Sequence, residues 1–262
     1  MKENRIYFVL LVIGTILQTA GIRAQTSKLG FRAGLNIPSL TQREENIFAS
    51  GFESTPGLEV AVMGELGLTS HWSLKSEIIF TTRGGERNEF QPIPPADVPA
   101  ELSANLPPGT LLFADFDNQS KPRYIEIPVM ISYGTGEDWR FYANFGPYIG
   151  ILVSAKQETS GMSTLFLDPQ RQQPFVIEGP NGPVPLSLSF DAEQDIKDDL
   201  ESINFGIQGG VGIIRKISEQ HEVFFDVRAS TGFIPIQKDD FLGETVVGGL
   251  VLSLGYNYRF GS

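Results

Sequence analysis

The stretch Thr245–Phe260 reads TVVGGLVLSLGYNYRF, and its pattern decides the fold. Its even positions (Val246, Gly248, Leu250, Leu252, Leu254, Tyr256, Tyr258, Phe260) are mostly apolar and end in aromatics. Its odd positions (Thr245, Val247, Gly249, Val251, Ser253, Gly255, Asn257, Arg259) are small or polar. Successive side chains of a strand point to opposite faces, so this alternation makes one greasy face and one polar face. Such a strand suits lipid on one side and a lumen on the other.

Working outward, the same split recurs upstream. Tyr124–Tyr133 sets Ile125, Ile127, Val129 and Ile131 against Glu126, Met130 and Ser132. Trp139–Ile149 sets Trp139, Phe141, Ala143, Phe145 and Ile149 against Arg140, Tyr142, Asn144 and Tyr148. Ile203–Ile213 and Glu222–Ser230 repeat it, and Leu29–Ile37, Leu58–Leu68 and Trp72–Arg83 complete eight segments. Each reaches or approaches the ~9–11 residues a tilted strand needs to cross a bilayer. An even count lets antiparallel neighbours close with no edge left in lipid. The fold class expected is therefore all-β: an eight-stranded, antiparallel, up-and-down transmembrane barrel from Lys28 to Phe260. Pro128 and Pro147 interrupt two strands, and each predicts a bulge or a missing ladder bond, because proline has no N–H to donate.

Charge gives a second check. The polar faces carry Arg32, Lys75, Arg140, Arg228 and Arg259 against Glu59, Glu65, Glu77, Glu126 and Asp226, a balance of signs that predicts an ion-paired lumen. A soluble barrel with its apolar face inside has the same period, and periodicity cannot separate the two. The connections can. Short turns at Thr69–His71, Gly134–Asp138 and Ser218–His221 alternate with long connections at Pro38–Thr55, Gly84–Lys121, Gln157–Leu200 and Ile234–Glu244. Bacterial outer-membrane barrels have that asymmetry, with short turns in the periplasm and long loops outside. The long connections, with the second counted to Ser120, hold twenty acidic and five basic residues, a net −15 against −11 for the whole chain. Two of them are proline-rich, which predicts extended or disordered chain, with a marginal amphipathic helix over Asp191–Leu200.

The start of the chain reads as an export signal. Lys2 and Arg5 precede an apolar run from Tyr7 to Leu17, and Ile22-Arg23-Ala24 stands before Gln25. That order predicts a signal peptide over residues 1–24 and an outer-membrane barrel domain over 25–262. The run is too short for a spanning helix. There is no cysteine, so neither disulfides nor thiolate metal sites are available. The acidic balance argues against nucleic acid, whose phosphates need a basic surface.

Taken together, these residues resemble the PorT-like outer-membrane β-barrel family, small exported barrels akin to the OmpA/OmpX-type eight-stranded barrels. The matching pieces are Leu29–Asn36 after the leader, Leu74–Ile78 through Arg83-Gly84-Gly85, and Tyr124–Val129. Gly146–Gly150, the glycine-rich Asn204–Gly212 and the ending Leu254–Phe260 also match, so the resemblance covers nearly the whole mature chain in order. It implies the fold and the cell outer membrane, not a reaction. PorT itself is associated with protein secretion, which most relatives do not share as an assigned role. Members of the family commonly end on an aromatic residue read by the barrel-insertion machinery; here Phe260 is followed by Gly261 and Ser262.

Candidate chemistry is sparse. His71 and His221, the two histidines, fall in short turns and read as solvated turn residues. Glu65, Glu77 and Glu126 share the lumen with five basic residues, so structural ion pairs outweigh an acid–base pair. Asp191, Glu193 and Asp195 have the alternating spacing of a calcium loop, but Ile196 and Ser202 replace its glycine and final glutamate. Gly206, Gly209, Gly210 and Gly212 lie inside a strand with no helix after them, so they relieve crowding and do not cradle phosphate. Trp72, Trp139, Tyr256, Tyr258 and Phe260 fit an interfacial aromatic girdle.

The expectation is a non-enzymatic protein of the cell envelope with no catalytic residues, cofactor or metal site. Its partners would be outer-membrane lipid, the insertion machinery and other envelope or surface proteins met through long acidic loops. The alternatives are an accessory subunit of a secretion machine and a small-ligand-binding barrel.

Overall fold

The computed structural model describes residues 27–104, 106–107 and 109–260; the expected leader lies outside the described residues. In chain order the strands are β1 (Ser27–Gln42), β2 (Glu53–Ser54), β3 (Gly57–Gly67), β4 (Trp72–Thr82) and β5 (Gly85–Ile93). Then come β6 (Leu112–Thr135), β7 (Trp139–Ser160), β8 (Met162–Thr164), β9 (Val176–Gly179) and β10 (Gly182–Pro185). The series ends with β11 (Ser187–Ser189), β12 (Ala192–Asp195), β13 (Ile203–Lys216), β14 (His221–Gly232) and β15 (Thr245–Phe260).

Eight of these close a ring in the order β1-β3-β4-β6-β7-β13-β14-β15, with β15 bonded back to β1 from Ser27↔Phe260 to Gln42↔Thr245. They are the eight segments expected from the alternation. Closure pairs every wall strand on both sides, which is the condition for backbone to sit in hydrocarbon. The apolar faces point outward: Leu254 is 67% exposed and Val211 61%, whereas Asp226 in the interior is 0%. That settles what the period left open. Among the described residues no helix is long and apolar enough to cross a membrane; strands do it.

The prolines act as expected, through missing ladder contacts. Pairing of β4 with β6 skips the pairs between Ser76↔Val129 and Ile79↔Glu126, around Pro128. Pairing of β6 with β7 skips those between Pro128↔Tyr148 and Ile131↔Phe145, around Pro147. Register is kept across both gaps. A true bulge lies higher, where Tyr124 pairs with Leu152 but Arg123 pairs with Ser154. The extra residue in β7 reverses which parity faces out: Ile149 and Ile151 below, Lys156 and Glu158 above. The expected end of this strand at Ile149 is therefore too early.

The strand glycines make room for large inward side chains. A Cβ on Gly206 would meet the Tyr148 ring at 2.7 Å and the Thr231 carbonyl at 2.1 Å. Tyr148 and Gly206 are direct cross-strand partners, so the aromatic lies over a neighbour with no side chain.

Much of the proline-rich connections is extended, one of the two forms expected, but paired into strands rather than left as loose chain. At the long-loop end β5 pairs with the upper half of β6, β2 with β5, and β12 with the upper end of β7. The result is a blade of order β2-β5-β6-β7-β12 standing on the barrel. At 24 residues, β6 is more than twice the length a spanning strand needs. Ile93, Leu112, Ala114, Phe116 and Leu165 form a buried apolar cluster behind the blade, with Phe175, Leu186 and Phe190 packed on it. Phe116 and Phe190 stack with ring centroids 4.4 Å apart. Proline leaves no N–H unsatisfied at such edges, and the apolar residues between the prolines supply the core. The helix considered over Asp191–Leu200 is instead β12 followed by a 3-10 turn at Lys197–Asp199. Charged Glu193 and Asp195 pair there with Glu158 and Lys156 across the ladder.

Candidate functional site

The lumen is filled by ion pairs in three layers. In the middle layer Arg32 Nε donates to Glu77 Oε2 at 2.9 Å, and its Nη2 lies 2.7 Å from Glu59. Glu77 also receives Arg228 at 2.9 and 3.1 Å and sits 3.2 Å from Lys75 Nζ. Arg228 continues to Asp226 at 2.9 Å, which accepts a further bond from Tyr142 Oη at 3.0 Å. Three cations thus face three anions, the arrangement that offsets the cost of burying each. Above them Arg83 makes a bidentate pair with Glu126 at 2.8 and 3.0 Å, and its Nη1 donates to the Gly248 carbonyl. Below, Lys28 Nζ donates to Glu222 at 2.7 Å and lies 4.0 Å from Glu65.

Most of the ten residues expected to face inward do so. Arg140 and Arg259 keep the inward parity but are only half-buried, and Arg140 leans on the carbonyls of Ser70 and His71 at the short-turn rim. Strands near their ends lose the wall that would cover them. Lys28, Arg83 and Glu222 join the network although they were not counted with it. Their parity could have found them: Lys28 matches Arg32, Arg83 matches Glu77, and Glu222 matches Asp226. The void left in the lower lumen, beside Glu65, Lys75 and Arg140, is about 10 Å³, room for one water.

The histidines are exposed but anchored. His71 Nδ1 is 3.1 Å from the Gly134 carbonyl, and His221, the first residue of β14, is 2.5 Å from Tyr256 Oη. Among the described residues, no acid or serine hydroxyl is bonded to either ring. Trp72 and Trp139 are exposed at the same end, and Tyr258 packs edge-on to Phe260 at 4.8 Å, as a girdle requires.

At the long-loop end the blade's outer face is acidic. Glu53, Glu86, Gln119, Glu158 and Glu193 form one cross-strand row on β2, β5, β6, β7 and β12. Asp117 stands beside it, pairing with Asn88 and Ser160. Lys121 reaches Glu158 at 2.5 Å, and Lys156 donates to Glu193. That hydrogen bond holds the Glu193 carboxyl below, and the Lys156 ammonium above, their ordinary ranges. Asp191 caps the Gly161 N–H and accepts Ser189 Oγ, and Asp195 accepts the Lys197 N–H. The three acids with calcium-like spacing are thereby committed to separate local bonds. Among the described residues no group of three metal-ligating side chains comes together.

No curated protein sequence matches the chain. Among solved structures it is similar to the outer-membrane protein OprG from Pseudomonas aeruginosa, at 10% identity and TM-score 0.42, covering 92% of this chain and 99% of that one. It is also similar to Ail, the attachment invasion locus protein of Yersinia pestis, at 11% identity and TM-score 0.36, covering 89% and 99%. The outer-membrane protease OmpT from Escherichia coli matches at 9% identity and TM-score 0.36, covering 93% and 99%. Likeness at that level says nothing about activity. Residues 23–238 match the model of the outer membrane protein beta-barrel domain, so this closed, apolar-faced barrel belongs to that family and resides in the outer membrane.

Proposed function

We propose that the chain is a non-enzymatic surface-interaction protein whose sealed barrel anchors an acidic extracellular headpiece. The observation that carries this reading is the row of Glu53, Glu86, Glu158 and Glu193 along one face of the blade. Like charges directly opposite one another are unfavourable in a sheet, by roughly 0.2–1 kcal/mol per pair. Lys121 and Lys156 already pair with Glu158 and Glu193, whereas among the described residues Glu53 faces Glu86 with no ion pair to either, so the surplus charge lies at the β2–β5 end of the row. A partner presenting cations would relieve that repulsion and be steered to the face. The packed lumen supports the same reading, since it leaves the loops as the part free to meet other molecules.

The test is binding of poly-lysine to the protein in lipid nanodiscs, against a variant with Glu53, Glu86, Glu158 and Glu193 all changed to Gln. The expected result is salt-sensitive binding that the variant loses about tenfold or more, with a normal mobility shift on boiling in SDS. Equal binding by both proteins would overturn the reading. The PorT-like resemblance favours a second role, an accessory subunit of an envelope secretion machine. That role requires stable co-purification with other envelope proteins from mildly solubilised membranes.

A further inference from the structure

We propose that the barrel wall holds a site for a phospholipid with an anionic headgroup, on the lipid-facing side of β6, β7, β13 and β14 near the short turns. Tyr133, Ala143 and Val211 stand in one outward cross-strand row, and Phe141, Ile213 and Phe225 in the next. The surface between them is a groove of about 510 Å³. Ala143 contributes only a methyl group there, while Phe141 at 60% exposed and Val211 at 61% stand out beside it. The lining is almost wholly apolar, which suits an acyl chain. The family resides in the outer membrane, so lipid covers the groove, and a cation beside it decides which lipid.

That cation is Arg215. It keeps the outward parity of Val211 and Ile213, one row nearer the short turns, and pairs with Trp139 and Val223. The step from Ile213 is roughly 7 Å along the strand, so a lipid with its chain in the groove brings its phosphate to the guanidinium. The guanidinium carbon lies over the Trp139 ring, 4.9 Å from its centroid, and this cation–π contact holds the side chain against the wall. Among the described residues its one ion pair is to Asp138 at 3.8 Å, too long for a hydrogen bond, and the Asp138 side chain is 79% exposed. The N–H donors are therefore left for a phosphate, whose oxygens match a guanidinium in geometry. Among the described residues no other lysine or arginine follows the outward parity of the wall strands at that end, so headgroup choice rests on this one. Short turns face the periplasm in bacterial barrels, which puts the site in the periplasmic leaflet.

The test is native mass spectrometry of the full protein in detergent, offered equal amounts of phosphatidylglycerol and phosphatidylcholine with identical acyl chains. The expected result is one retained lipid per protein, with phosphatidylglycerol preferred about fivefold, the factor one basic residue supplies at an anionic lipid surface. Arg215→Gln should bring the two lipids level while one lipid is still retained. Ala143→Phe, which fills the groove, should remove the retained lipid. Ala33→Phe places the same ring on an outward position of β1, on the opposite wall, and should change nothing. Inorganic phosphate should not displace the lipid, since it has no chain to fill the groove. Heat-modifiability on gels checks that each variant is folded. Equal retention of the two lipids by the native protein, a measurement that needs no variant, would overturn the proposal. So would a preference that survives either Arg215→Gln or Ala143→Phe.

Discussion

Strands β6 and β7 run through two regions of the molecule and are built in opposite senses in each. Below Arg123, the outward residues of β6 are Ile125, Ile127, Val129, Ile131 and Tyr133, while Glu126, Met130 and Ser132 face in. Above it, the outward residues are Asp115, Asp117, Gln119 and Lys121, while Leu112, Ala114 and Phe116 face in. The inward parity of β6 never changes; the chemistry assigned to it does. The lower core is ionic because its surroundings are lipid, and the upper core is apolar because its surroundings are water. The alternation thus specifies two faces, and the solvent specifies which face is greasy.

The two cores should fail differently. Glu77→Ala leaves Arg32, Arg228 and Lys75 without their shared anion, and removing one partner of a buried pair costs about 3–5 kcal/mol. Urea unfolding in detergent should show that loss for the whole barrel; an unchanged midpoint would mean the network is slack. Phe116→Ala removes a comparable ~3–5 kcal/mol, as expected for a core aromatic, but from the headpiece alone. Limited proteolysis should then cut within residues 85–120 while the boiling shift of the barrel is retained, and simultaneous collapse of both would unite the two cores.

A smaller effect tests the inversion on one strand. Arginine at Val129, in the middle of the apolar band, should cost ~2–4 kcal/mol, whereas Asp117→Arg on the same face in the headpiece should leave stability within ~0.5 kcal/mol. Comparable costs would contradict the change of solvent at Arg123. The smallest effect concerns Asp168 in the third long connection. Slight burial pushes its carboxyl up, but the backbone N–H groups of Gln172, Gln173 and Gln170 outweigh that and hold it below the usual carboxylate range. A depressed acid contributes stability above its unfolded value near ~3.9 and loses it as pH falls through the folded one. The amide resonances of Gln172 and Gln173 should therefore shift only below about pH 3.9. A midpoint above that value would show the cap to be absent.

How far the sequence carried differs between these regions. Lys28, Arg83 and Glu222 were within reach, since each continues the parity of a residue already assigned to the lumen; Arg83 and Glu222 end segments already drawn and Lys28 stands one residue before one, positions where a charge also suits the adjoining turn. The bulge opposite Arg123 was written in β7 as a slip of phase between Ile151 and Lys156, a weaker signal because a single extra residue can equally end a strand. Nothing local announced that Glu53, Glu86, Glu158 and Glu193 share a row, or that Phe116 stacks on Phe190. Those contacts join positions tens of residues apart, and a period of two carries no information about partners at that distance.

The sequence by itself determined eight spanning strands, their faces, the sign balance of the lumen and the alternation of short and long connections. Each depends only on where a residue stands in its own strand, and the bilayer imposes the same period on all of them. The tertiary structure alone decided that the proline-rich connections fold into a blade, and which charges meet. Those features depend on which distant segments pack together, and that choice is made by shape and burial between chains of side chains, not by the pattern within any one of them.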